Sequence, residues 1–181
     1  PVPNFGDWKG VVINGGSGHR ITRATFHYQI TALKINDFSD VILDRVRIER
    51  VALQQQNLNV INGSNFKLLN SYITSKEKSN AWLDQVDGYE IRGNYFHNGR
   101  SALNVTRTRN GVIAENHFQD YDHYAIHDYD WENTGTGTDF WSRYGNLTVE
   151  NNIFNSIIYR NELVMAFGNY WNTVVRGNSA Y

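Results

Sequence analysis

One eleven-residue line recurs seven times in this chain without internal gaps: "GSGHRITRATF" (16–26), "FSDVILDRVRI" (38–48), "GSNFKLLNSYI" (63–73), "VDGYEIRGNYF" (86–96), "TRNGVIAENHF" (108–118), "YGNLTVENNIF" (144–154) and "YWNTVVRGNSA" (170–180). Successive copies end 22, 25, 23, 22, 36 and 26 positions apart, a period of about two dozen residues broken by one long insertion. A unit this short cannot enclose a core alone, so the copies must stack and share one. The sixth column reads Ile21, Leu43, Leu68, Ile91, Ile113, Val149 and Val175, and the last column is mostly Phe or Ile, with polar residues between. That alternation is strand-like and not helical. Asn94, Asn116, Asn152 and Asn178 share the ninth column, and Asn65, Asn110, Asn146 and Asn172 the third. Asn tolerates left-handed turns, and carboxamides stacked at the strand spacing of about 4.8 Å can bond to one another as ladders.

A second strand follows in each coil: "ALKIN" from Ala32, "ALQQQ" from Ala52, "AWLDQ" from Ala81, "ALNVT" from Ala102, "AIHDY" from Ala125 and "VMAFG" from Val164. On this alignment Leu33, Leu53, Trp82, Leu103, Ile126 and Met165 point inward, and Lys34, Gln54, Leu83, Asn104, His127 and Ala166 point to solvent. A leucine-rich repeat is a poorer account, because no segment reads as an amphipathic helix. The expectation is an all-β solenoid of about seven coils, a single domain over residues 1–181 with an inserted loop at 131–145. The repeat runs from "GDWKGVVING" to "VVRGNSAY" with no helical cap at either end. Solenoid ends normally need cover, so further coils or other subunits are expected there.

Composition narrows the partners. With 17 Lys and Arg against 18 Asp and Glu, the formal charge is −1, and no long basic run marks a nucleic-acid binder. No stretch of 18 apolar residues suggests a membrane span. The absence of Cys excludes disulfides and thiolate metal sites.

Lines such as "YEIRGNYF", "GVIAENHF" and "LTVENNIF" resemble the repeats of right-handed parallel β-helix proteins of the pectate-lyase-like superfamily, over nearly the whole chain. The resemblance implies right-handed, single-stranded coils and a secreted or cell-surface protein of bacterial or phage origin. That superfamily holds polysaccharide lyases, uronate epimerases, glycoside hydrolases, tailspikes and adhesins, so it implies polysaccharide as partner and leaves the activity open.

The string "YAIHDYD" (124–130) is the candidate site. In register it is similar to the catalytic strand of mannuronan C5-epimerases, Tyr-Gly-Phe-Asp-Pro-His-Glu. Tyr124 matches the family's Tyr, His127 stands at its Asp, Tyr129 at its His, and Leu163 at its acidic partner. The stacked register places Tyr124, His127 and Tyr129 outward, with Asn104 and Thr106 one coil below. The insertion that follows carries Trp131, Phe140 and Trp141, whose rings suit the apolar face of a pyranose. Acting on a uronate requires a neutralised carboxylate, a base for the C5 proton and an acid. His127, Tyr129 and Tyr124 are the candidate acid–base groups; Asn104, Arg107 or Arg143 can hold the carboxylate, with Trp131 and Trp141 against the sugar.

Three other readings compete. The polar strand is also what a hydrated outer face looks like, which would make the chain a glycan-binding or structural solenoid. Asp84 and Asp128 fall in one column two coils apart, about 9.6 Å by strand spacing, near the limit for the carboxylates of an inverting glycoside hydrolase; the same register points them inward. Asp120, Asp122, Asp128 and Asp130 are candidate Ca²⁺ ligands without an EF-hand or nonapeptide pattern. "EKSN", with Lys78, reads as a solvated turn.

Overall fold

The computed structural model describes residues 9–27, 30–49, 56–75, 78–127, 144–155, 165–166 and 170–181. Every strand pairing among them is parallel, and each pairing joins one coil to the next. The chain winds as a β-solenoid of about six turns with three faces. The first face stacks Val11–Asn14, the leading parts of Leu33–Asp44, Leu58–Leu69 and Ala81–Arg92, then Ser101–Thr106, Tyr124–His127 and Met165–Ala166. The second face carries Ser17–Thr22, the trailing parts of the same three long strands, Arg109–Ala114, Gly145–Glu150 and Trp171–Arg176. The third face is a stack of seven three- or two-residue strands, from Thr25–His27 to Ser179–Ala180.

The seven copies align as their columns require. Ile21, Leu43, Leu68, Ile91, Ile113, Val149 and Val175 are mutual partners on the second face. Phe26, Ile48, Ile73, Phe96, Phe118, Phe154 and Ala180 are partners on the third. Because inward side chains repeat in place, like residues stack: Phe96, Phe118 and Phe154 lie nearly parallel, with ring centroids 5.1 and 5.0 Å apart. Each such buried ring removes an apolar surface from water that contributes about 1.5–3 kcal/mol.

The corners are made by left-handed residues. The whole third column has positive φ, from Gly18 through Asp40, Asn65, Gly88, Asn110, Asn146 and Asn172, and so does the eighth, which includes Arg23, Asn70, Gly93, Glu115 and Asn151. A third such column, Gly15, Asp37, Asn62, Gln85 and Arg107, turns the chain from the first face to the second. Two Asn ladders run along these corners. The ninth-column ladder is buried as far as Asn152: Asn94 donates through Nδ2 to Asn116 at 3.0 Å, Asn116 to Asn152 at 3.0 Å, and Asn152 to the half-buried Asn178 at 2.9 Å. The third-column ladder is exposed, with Asn146 donating to Asn110 at 2.9 Å and Asn172 to Asn146 at 2.6 Å.

On the first face the sequence alignment needs correction by one residue. Ala81 pairs with Leu58 and Leu103, so Trp82 faces outward beside Asn59 and Asn104, while Leu83 is fully buried between Val60 and Val105. The sequence reading had Trp82 inward and Leu83 outward. Two apolar residues in succession make the alternation ambiguous there, and backbone pairing settles it. The strand of the preceding coil is Leu58–Leu69 and does not begin at Ala52; residues 51–55, with Leu53 and Gln54, lie outside the described residues. Asp84 consequently leaves the core column expected for it: it pairs with Ile61 and Thr106 at a corner and binds Arg107.

Candidate functional site

Three consecutive rungs of the first face build one cleft of about 420 Å³. Each supplies the same five-residue pattern: "KSNAW" (78–82), "RSALN" (100–104) and "HYAIH" (123–127). The fifth residues, Trp82, Asn104 and His127, are stacked partners that line its floor. The second residues, Ser79, Ser101 and Tyr124, stand beside them, with Ser101 and Tyr124 paired. The first residues, Lys78, Arg100 and His123, also line it, at its rim. Their backbones are joined rung to rung, Arg100 N donating to Lys78 O at 3.3 Å and His123 N to Arg100 O at 2.8 Å.

Within the cleft the imidazole of His127 stacks on the Tyr124 ring, with centroids 4.2 Å apart and planes 12° from parallel. Tyr124 and His127 are three residues apart across a bend in the strand's alternation, where Ala125 and Ile126 are both fully buried. Burial, then the neighbouring His123 and Arg100, hold the His127 pKa below the ordinary 6.5. The lowered pKa favours the neutral imidazole at pH 7. Asn104 is buried on the cleft floor and donates through Nδ2 to Ser79 Oγ at 2.8 Å, linking two rungs. No carboxylate is among the described residues that line the cleft.

Of the residues singled out in the sequence, the structure brings Tyr124, His127 and Asn104 together. Arg107 lies elsewhere. It occupies the corner between the first and second faces, where Nε donates to Asp84 Oδ1 at 2.8 Å and Nη2 binds Asp84 Oδ2. There it lines a separate cleft of about 370 Å³ with Asn62, Gln85, Asp87, Arg109 and Tyr144. Arg109 in turn binds Asp87 at 2.6 Å, the contact that chiefly lowers the Asp87 pKa. Tyr129, Trp131, Trp141, Arg143 and the acid Asp128 lie outside the described residues.

The rim was missed by sequence reasoning, which took Lys78 for part of a solvated turn. A signal was present. The four-residue spacing that separates Lys78 from Trp82 recurs from Arg100 to Asn104 and from His123 to His127, in step with the coil period. Among the described residues no three His, Asp or Glu converge on a common point. Asp120, one of the four candidate Ca²⁺ ligands, accepts from His97 and Gln119, each at 3.2 Å, and Asp128 and Asp130 lie outside the described residues.

No curated protein and no solved structure matches the chain. A family model described as a right-handed β-helix region matches residues 9–180, nearly the entire length. It agrees with the parallel rungs and supplies their hand, and the fold is one on which polysaccharide-engaging proteins are built. Stacked columns, left-handed corners and that match together make this chain a member of the right-handed β-helix family.

Proposed function

We propose that the first-face cleft binds a uronate-bearing polysaccharide and removes the C5 proton of one sugar, with His127 as base. The observation that carries this reading is an imidazole stacked on a tyrosine in a cleft lined by Lys78 and Arg100 and by no carboxylate among the described residues, surroundings that hold its pKa below the ordinary value. A proton next to a carboxylate is removable only where the charge developing on that carboxylate is neutralised. Arg100 and Lys78 supply that neutralisation from the rim, and Asn104 offers its amide from the floor.

His127 takes the C5 proton, and the electron pair of the C5–H bond moves into the carboxylate as an enediolate. From there two outcomes balance. In elimination the pair returns to form C4=C5, the C4–O bond breaks, and the leaving oxygen takes a proton from Tyr124. In epimerisation C5 recovers a proton on its opposite face. Tyr124, stacked on His127, stands on the same side of the sugar and suits the acid of elimination; epimerisation needs a donor on the opposite face. An inverting hydrolase is the weaker reading, because Asp84 is held by Arg107 at a corner away from this cleft.

The test is the appearance of unsaturated-uronate absorbance when the protein is incubated with alginate, pectate and glycosaminoglycans, with and without Ca²⁺. An absorbance lost about 10²- to 10⁴-fold in His127→Ala supports elimination at this strand. A flat trace with every polymer removes the lyase outcome; a flat trace together with no binding to any of them removes the whole reading in favour of a structural solenoid.

A further inference from the structure

One tyrosine side chain crosses a whole rung. In the coil that carries Asn104, the corner between the first and second faces is short: Arg107 and Thr108 join Ser101–Thr106 to Arg109–Ala114. In the next coil the same corner falls at residues 128–144, the span that contains the insertion, between Tyr124–His127 and Gly145–Glu150. Tyr170 stands at this corner of the coil after that, immediately before Trp171–Arg176. Its hydroxyl reaches back two rungs. It accepts from the Thr108 backbone N–H at 3.2 Å, shares a hydrogen bond with Thr108 Oγ1 at 2.5 Å and donates to Val105 O at 3.3 Å. Val105 and Thr108 are fully buried, and Thr108 Oγ1 lies 3.1 Å from the hydroxyl of the buried Tyr89. Three hydroxyls thus form a polar chain inside an apolar core, where water does not stand in for a lost partner.

We infer that Tyr170 is a positioning residue for the first-face cleft: its hydroxyl clamps the strand of Asn104 to the coil that covers His127, so that these rungs open and close as one unit. Val105 follows Asn104 in its strand, and its carbonyl is one end of the clamp. At the other end Ala166, four residues before Tyr170, pairs with His127, and His127 pairs with Asn104. The His127 strand is therefore held between two rungs that Tyr170 ties together. The clamp lies where first-face pairing thins. Ala81, Trp82, Leu83 and Asp84 pair residue for residue with Leu103, Asn104, Val105 and Thr106, whereas in Tyr124–His127 only Ile126 and His127 are paired by Met165 and Ala166 among the described residues. Units of this kind, with few pairings of their own, exchange with solvent separately from the rest of a fold. The effect on turnover rests on the proposed function; the clamp itself does not.

The experiment is amide hydrogen exchange, read by mass spectrometry without any ligand, on the unmodified protein, Tyr170→Phe, Thr108→Val and the double variant. Tyr170→Phe keeps the ring and removes the hydroxyl; Thr108→Val removes one partner and keeps the shape. Each should accelerate exchange about tenfold in Ser101–Thr106 and Tyr124–His127, with Leu33–Asp44 and Leu58–Leu69 unchanged. The double variant should do less than the two singles added together, as for residues that share one interaction. Acceleration confined to Trp171–Arg176, or equal in every strand, overturns the inference and leaves Tyr170 a stabiliser of its own rung or of the whole fold. The same variants are assayed on alginate and pectate. If the unmodified protein turns a polymer over, Tyr170→Phe should lower kcat/KM about tenfold, and an unchanged kcat/KM overturns the positioning role. If no polymer is turned over, the proposed function fails and the exchange pattern alone decides the clamp.

Discussion

His127 is subject to three influences that act in one direction. Its burial, the nearby His123 and the nearby Arg100 all disfavour the imidazolium. The base form of a residue with a depressed pKa persists to lower pH, so the acidic limb of kcat/KM should lie below 6.5, the ordinary value for His. Arg100→Ala removes one of the three and should shift that limb upward, toward 6.5, in a pH–rate profile. Stability follows from the same shift. Between the lowered native pKa and the ordinary one, the unfolded chain binds a proton that the native chain does not. Stability therefore falls as the pH drops through that window and levels off below the native pKa. His127→Gln should flatten this segment in thermal melts taken as a function of pH. Residue chemistry was partly legible in the sequence: the stacked register of the coils placed Tyr124, His127 and Asn104 on one outer surface. Lys78 and Arg100 were not, because a cation in a polar turn has the same local signature whether it faces a cleft or open solvent.

At the scale of the element, the buried Asn ladder is the interaction most exposed to single changes. Asn116 Oδ1 accepts from the Asn94 backbone N–H at 2.9 Å and from Asn94 Nδ2 at 3.0 Å, while Asn116 Nδ2 donates to Ile91 O at 2.9 Å and to Asn152 Oδ1 at 3.0 Å. Asn116→Ala strands several of these groups where water cannot replace the partner, and should cost about 3 kcal/mol in chemical denaturation. Asn110 is exposed at a left-handed corner, in the column where Gly88 serves one rung away. Asn110→Gly should therefore change stability by less than about 1 kcal/mol in the same assay. Both ladders were readable from the stacked columns, since a residue repeated at the coil period is placed against itself. The first face was less legible. At "AWLD" an inward choice for Trp82 or for Leu83 satisfies the hydrophobic pattern equally, and only the pairing of Ala81 with Leu58 and Leu103 decides it. That one-residue slip hid the aromatic at the end of the cleft floor.

For the whole molecule, each rung touches mainly its two neighbours, so stability is a sum over rungs and interfaces. The buried Asn ladder and the cleft lie on different corners of the coil. Asn116→Ala should thus lower the unfolding midpoint while leaving the turnover of the folded protein intact, a separation checked by assaying well below the melt. The solenoid is what makes the cleft possible, because it repeats a short pattern at fixed spacing and brings Lys78, Arg100 and His123 to the same cleft as Trp82, Asn104 and His127 without any single rung holding a site. The central claim is that His127 exchanges the C5 proton of a uronate, and it is tested most directly in deuterated water. Nuclear magnetic resonance of alginate and pectate incubated there should show either deuterium at C5 or new C4=C5 ends, both absent with His127→Ala. Uronate polymers that emerge with neither change, or changed to the same extent by His127→Ala, would contradict the account.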